Sequence, residues 1–299
     1  TQNFRVFEEW KLMNFDKASN FIWRHGRLLE RRIFECIFQG GSKNNILTAL
    51  KAYQNEDGGF GNAIEPDLRA PNSHPLFMEF ALRVLYDCNI KDKELSQKAY
   101  VYISNHADLK KGIPAIFTSS ANYPRAEHWN NPVSTEPSIN RLSGLIGLLK
   151  WQGVENSWLD KAVEICLQDI SSNTYHDAHT ILTAFCLLES LPQTDEILRL
   201  FMKLSKELFN ADFFRLDVAS QNYGLSPLEF APSPTSYCRS IFSDDTILDH
   251  LKVLESQQYD DGGWQIEWEP PGETAILEWR AYKTLKSIMI LNSYNKINL

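Results

Sequence analysis

Gln54 to Gly61 reads QNEDGGFG and Gln257 to Trp264 reads QQYDDGGW, and each phrase closes an apolar stretch patterned like a helix. In both, the helix is expected to stop before Asp57 or Asp261. The Gly-Gly pair then takes positive φ at little cost, and the aromatic folds back to pin the turn. Gln54 and Gln258 stand 204 residues apart, about four units of roughly 51 residues, a period that suits stacked helical hairpins. Repetition of one turn at this distance predicts a repeat architecture.

Helical periodicity extends outward from both phrases, and period-two alternation is scarce. The first helix is expected over Ala18 to Phe38, with Phe21, Leu28, Leu29, Ile33 and Ile37 on an apolar stripe and Arg24, Arg27 and Arg31 on a solvated face, an anion site being the alternative. Beyond it two kinds of helix alternate. Ile46 to Gln54, Glu94 to His106, Trp158 to Ile170, Glu196 to Phe209 and Thr246 to Gln257 are amphipathic, as helices with one face in water should be. Pro75 to Cys88, Ile139 to Trp151, Ala178 to Leu191 and Thr274 to Leu291 are apolar around more of their circumference, which predicts an inner layer packed on several sides. The connections from outer to inner helices, 57 to 74, 108 to 138, 211 to 244 and 260 to 273, are long and rich in Pro, Trp, His and acids. Those running the other way are short, so one end of the assembly is the expected working face.

A chain of 299 residues with 43% hydrophobic residues, eight Trp and seventeen Phe has ample apolar surface for one large core, and no linker or charge block divides it. The expectation is an all-α single domain over 1–299, with 1–40 as an N-terminal helical extension packed on the rest. A net charge of −8 argues against a nucleic-acid partner, which needs a basic surface. No apolar run reaches the roughly 20 residues that span a bilayer, and the first residues lack the pattern of an export signal. Five scattered Cys without a C-x-x-C pair fit reduced thiols in a core, which predicts a cytoplasmic protein.

A helix ending in Gln, then Asp-Gly-Gly-aromatic, then an inner helix resembles the Q-W type repeat of the α/α-toroid superfamily, which holds terpenoid cyclases and protein prenyltransferase β subunits. DGGFGNAIEPDLRAP (57–71), GLSPLEFAPSP (224–234) and DDGGWQIEWEPPGETAILEWR (260–280) further resemble a bacterial group labelled prenyltransferase-like or squalene-cyclase-like by repeat alone. The resemblance implies an α/α toroid of two concentric helix rings around a central funnel. It also has departures. Class II cyclases protonate an alkene with the middle acid of Asp-x-Asp-Asp, whereas Phe242-Ser243-Asp244-Asp245 keeps Asp244 but replaces the first acid with Phe. Prenyltransferases hold zinc with Asp-x-Cys and a distant His, whereas Cys238 lies in Ser236-Tyr237-Cys238. The partner subunit those enzymes require is absent from this chain.

His176-Asp177-Ala178-His179 is the leading chemical constellation, since i and i+3 share a helical face and the string opens an inner helix. The alternative is an Asp177 cap with polar neighbours. Zinc there would need a third ligand from Glu65, Asp67 or His74, and metal binding is not the favoured reading. Glu65-Pro66-Asp67-Leu68-Arg69 offers two acids for acid/base work, or a network in which Arg69 locks both. The last unit supplies Glu267, Trp268 and Glu278, the last an acid in an apolar helix that needs a partner. Among the aromatics of the long connections, Trp264 has the competing role of turn anchor, while Trp129 is freer to meet a ligand. Glu65, Asp67, His176, Asp177 and His179 are expected to face one cavity, with Arg69, His74, Trp129, Asp244, Trp264, Glu267, Trp268 and Glu278 as further ligand contacts.

No phosphate-binding G-x-x-x-x-G-K-[ST], dinucleotide G-x-G-x-x-G, H-E-x-x-H or G-x-S-x-G is present. The leading expectation is a toroid that binds or transforms a hydrophobic small molecule, isoprenoids included, in its funnel. A carbohydrate-active hydrolase or lyase on an α/α ring and a non-catalytic peptide-binding scaffold are the alternatives. An apolar cavity favours the first, a wet cleft lined by acids the second, and a filled centre the third.

Overall fold

The structure, a computed structural model, describes residues 13–220 and 222–297. Among these the chain is all helical, with twelve α-helices and no strand. The expected first helix is instead two, α1 (Phe15–His25) and α2 (Leu28–Phe38), broken at Gly26 and Arg27. Both break residues have extended ψ. The Ile22 carbonyl lies 2.6 Å from where a Gly26 Cβ would sit, so a side chain there would collide with it. Arg27 is not on a solvated face. It pairs with the buried Glu30 and donates to the carbonyls of Ala63 (3.1 Å) and Ile64 (2.7 Å).

α3 (Lys43–Lys51), α4 (Pro75–Asp87), α5 (Lys93–His106) and α6 (Ile139–Trp151) follow. Then come α7 (Ser157–Ser172), α8 (Ala178–Glu189), α9 (Asp195–Leu208), the short α10 (Pro227–Phe230), α11 (Asp244–Ser256) and α12 (Glu273–Ser293). α6 is packed by α4, α5, α7 and α8. Its Gly147 lets it approach α8 closely, because a Cβ there would meet the Cys186 carbonyl oxygen at 2.7 Å.

Both Gly-Gly turns are built alike. Gln54 Nε2 donates to the Gly58 carbonyl at 3.1 Å and Gln258 Nε2 to that of Gly262 at 2.9 Å, while the Asp57 and Asp261 side chains accept from the N–H groups of Gly59 and Gly263. Gly58 (φ 84°) lies against the Lys98 carbonyl of α5, and Gly262 (φ 95°) against the Lys17 carbonyl of α1. α1 therefore stands to the second turn as α5 stands to the first. It packs along α12, and α2 packs on α12 and α3, so the first described helices meet the last. Of the expected 1–40 extension, residues 13–40 make this contact and 1–12 lie outside the described residues.

One hydrophobic cluster runs from Ala18 to Leu291, with Trp264, Phe34, Phe60, Phe77 and Phe185 among its largest fully buried side chains. All five Cys are free thiols, four of them buried. No described helix is long and apolar enough to cross a membrane.

Candidate functional site

The long connections, together with residues of α4, α6, α8 and α12, line a cavity of about 740 Å³. Its first wall comes from the loop after the Asp57 turn. Asn62 and Ala63 take positive φ. The Arg69 N–H then donates to the Pro124 carbonyl (2.9 Å) and the Ala126 N–H to the Asp67 carbonyl (2.8 Å), which ties this loop to the next. Glu65 and Asp67 are thereby held in the wall at 5% and 2% exposure.

Asp67 Oδ1 accepts the indole N–H of Trp279 at 2.7 Å and that of Trp268 at 3.2 Å, while Oδ2 lies 3.6 Å from His128 Nε2. Burial pushes the Asp67 pKa up to about 6, and the two indole bonds only partly oppose it. Glu65 is raised well above the ordinary value, first by burial and then by the charge of Asp67. Its Oε2 accepts the Asp67 N–H at 3.0 Å. The sequence left open whether Arg69 locks both acids. It instead pairs with Glu278 at 2.5 Å, giving that helical acid its partner.

A second segment, more than 100 residues on, brings Asp177 and His179 to the same cavity. Asp177 is the N-cap of α8 and accepts the Thr180 N–H at 2.9 Å. Burial alone would raise its pKa. The neighbouring His179 imidazole and the Thr180 N–H bond outweigh burial and lower it. His179 lies with Nδ1 3.7 Å from Asp177 Oδ1 and Nε2 3.1 Å from the Tyr223 hydroxyl, its ring stacked on the tyrosine.

Trp129, Trp268 and Trp279 give the cavity three indole surfaces, and Glu267, held by Arg215 at 3.1 Å, another carboxylate. Trp129 Nε1 is buried without a hydrogen-bond partner. Sequence reasoning missed Glu79, Asn140, Arg141, Thr180, Thr183, His128 and Trp279 as lining residues. On a helix, as at Glu79 and Arg141, a polar residue ordinarily marks the solvent side, so the pattern carried no signal for them.

Six expected site residues fall outside the lining of this cavity. His176 is exposed and lines no part of this cavity, because the chain turns into α8 only after Asp177, leaving His176 outside the helix. His74 is fully buried between Phe77 and Phe117, with Nδ1 accepting the Phe117 N–H at 3.0 Å. Burial lowers its pKa to about 4. Trp264 is fully buried and donates to the Leu254 carbonyl at 2.9 Å, the turn-anchor role. Asp244 has a 95% exposed side chain paired with Arg239. Arg69 and Glu278 pair with each other and line no part of the cavity. No group of three His, Cys, Asp or Glu gathers in a metal-binding arrangement among the described residues.

No protein-family model matches the chain, and no curated protein does. Among solved structures, a crystal structure of a protein from Actinoplanes matches with a TM-score of 0.51 at 9% identity, over 94% of this chain and 98% of that one. At this identity the likeness concerns the fold.

Proposed function

We propose that the helices close into an α/α toroid and that its cavity carries out acid/base chemistry on a glycoside. The ring reading is supported by the packing of α1 on α12 and by the second Gly-Gly turn resting on α1 as the first rests on α5. The observation that carries the chemistry is a pair of carboxylates in opposite environments, Asp67 and Asp177, lining one cavity walled by Trp129, Trp268 and Trp279. Two acids driven apart in pKa divide the roles of proton donor and acceptor.

Asp67, with a pKa near 6, keeps a proton to within reach of neutrality and suits the general acid that protonates a glycosidic oxygen. Asp177 stays ionised and suits the accepting side. Indole faces stack on sugar rings, and surrounding carboxylates favour the positive charge of an oxocarbenium-like transition state. An isoprenoid chain fits less well. It would desolvate Glu79, Arg141, Glu267 and Thr183 without offering them a hydrogen bond.

A panel of 4-nitrophenyl glycosides tests the reading. At least one should release nitrophenolate, with the rate declining above about pH 6 as Asp67 ionises. Asp67→Asn and Asp177→Asn should each lower kcat by about 10²- to 10⁴-fold. Failure of the whole panel, together with tight binding of a farnesyl chain, would return the cavity to the hydrophobic reading.

A further inference from the structure

The Asp177–His179 pair does not end at the imidazole. The far nitrogen of the ring meets a phenol that lines the cavity itself. Tyr223 Oη is 3.1 Å from His179 Nε2, and the two rings lie parallel at 5.9 Å with an interplanar angle of 10°. Phe213 stands edge-on to both rings, and Tyr223 in turn meets Trp268 edge-on at 6.3 Å. These contacts fix the phenol between the imidazole and the indole wall.

The His179–Tyr223 hydrogen bond has a direction. An ionised Asp177 has no proton to give, so it favours a proton on His179 Nδ1, 3.7 Å away, and leaves Nε2 as a lone pair. The Tyr223 hydroxyl then donates to Nε2, which leaves the phenolic oxygen free to accept from a molecule in the cavity. A carboxylate, an imidazole and a hydroxyl in this order form the arrangement that activates a hydroxyl by removing its proton as it reacts.

We infer that Tyr223 is the residue that takes the proton from the attacking water, with His179 receiving the phenolic proton and Asp177 holding the imidazole. The inference rests on the glycoside reading above. In the step, a water proton passes to Tyr223 Oη while the Tyr223 proton passes to His179 Nε2. The water oxygen bonds to the anomeric carbon, the glycosidic C–O bond breaks, and the leaving oxygen takes the proton of Asp67. Asp67 ends as a carboxylate and His179 as an imidazolium beside Asp177, and exchange of one proton with solvent resets both. A standing phenolate has no part in this. Burial first, and then the charges of Glu267, Glu229 and Asp177, raise the Tyr223 pKa, so the proton leaves only as another arrives.

The experiment has two arms. On a glycoside that the wild type hydrolyses, Tyr223→Phe should lower kcat about 10²- to 10³-fold with little change in KM and an unchanged decline above pH 6. His179→Gln should cost as much, and the double variant no more than either alone, as for groups acting as a unit. Full activity in Tyr223→Phe would overturn the inference, and so would additive losses. The second arm needs no substrate. In protein labelled with ¹⁵N-histidine, NMR should find His179 protonated at Nδ1, with an Nε2 resonance that moves in Tyr223→Phe. A proton on Nε2 would reverse the relay and overturn the inference. Absence of turnover on every glycoside would defeat the glycoside reading while leaving this tautomer result to stand or fall alone.

Discussion

The two Gly-Gly turns share a backbone and differ in what holds them. In the first, Asp57 is held by neutral donors, its Oδ1 accepting the Ser73 hydroxyl at 2.8 Å as well as the Gly59 N–H. In the second, Asp261 meets the guanidinium of Arg280 at 2.8 Å, and that guanidinium also reaches the Trp264 carbonyl and lies 4.6 Å over the Phe21 ring of α1. The first turn joins helices that follow one another in the chain. The second also seats α1, more than 200 residues away in sequence, so chain connectivity does little to hold that contact and a charge-assisted bond with a cation–π contact reinforces it. What comes after each turn differs as well. The loop after the first turn buries Glu65, Asp67 and His74, whereas the one after the second carries Glu267 at the cavity, paired with Arg215. A shared turn sets the helices, and the loops that leave it bring Glu65, Asp67 and Glu267 to the cavity.

Both turns depend on their first glycine. A Cβ on Gly262 would lie 2.2 Å from the Lys17 carbonyl oxygen, and one on Gly58 2.6 Å from that of Lys98, with positive φ at both. Backbone cannot yield as a flexible side chain would. Gly262→Ala and Gly58→Ala should each cost about 3 kcal/mol or more, the former the larger. Denaturant unfolding measures this, and a loss within about 0.5 kcal/mol, the range of surface substitutions, would show that neither turn anchors the helices.

A smaller effect separates the loops by pH. Asp67 has a folded pKa of about 6 against an ordinary 3.8, so between these values the folded protein binds more protons and stability falls as pH rises. His74 runs the other way. Its folded pKa of about 4 lies below the ordinary 6.5, so its contribution is present above 6.5 and is lost as pH falls toward 4. Each amounts to roughly 3 kcal/mol at most, at 1.36 kcal/mol per pKa unit, and the two oppose each other over most of the window. Asp67→Asn should therefore be more stable than wild type at pH 7 and should lose stability more steeply on acidification from pH 6.5 to 4, as His74 acts without its counterweight. Parallel profiles for the two proteins in thermal unfolding would mean that Asp67 is not desolvated as described.

The sequence carries the helices better than their breaks. Ile139–Trp151 has the expected bounds, and α8 begins where Asp177 can cap it. Gly26 gave no warning, since the apolar stripe continues across it and the extended backbone depends on Arg27 reaching carbonyls 36 and 37 residues away. Within the site, residues on long loops such as Glu65, Asp67, Trp129 and Glu267 stand out because such loops are unusual without a task. Glu79 and Arg141 do not, because on a helix a charged residue ordinarily marks the solvent side. Trp264 and Trp268 lie four residues apart in one connection, yet one indole bonds the Leu254 carbonyl inside the core and the other Asp67 at the cavity. Only tertiary packing distinguishes them.

The smallest expected effect concerns the helices that lead into the two turns. α3 is capped by Ser42, which accepts the Asn44 N–H, and α11 by Ser243, which accepts the Thr246 N–H. Asp244 is not the cap, although the acids before Thr246 suggest one. It sits in the first turn of α11 with its carboxylate in water and paired with Arg239, an arrangement that solvent screens. Phe242, which stands where a cyclase motif has its first acid, is buried against Phe209, Phe214 and Phe230. The motif position is thus split between the core and the solvent, with Asp244 outside the cavity. Ser243→Ala and Ser42→Ala should each destabilise by about 1 kcal/mol, whereas Asp244→Asn should shift the melting temperature by no more than a typical surface substitution. Wild-type protein supplied with squalene or geranylgeranyl diphosphate should give no cyclic product. A cyclic product that disappears in a folded Asp244→Asn protein would mean that this carboxylate can leave the water and enter a closed site, and the glycoside reading of the cavity would lose its ground.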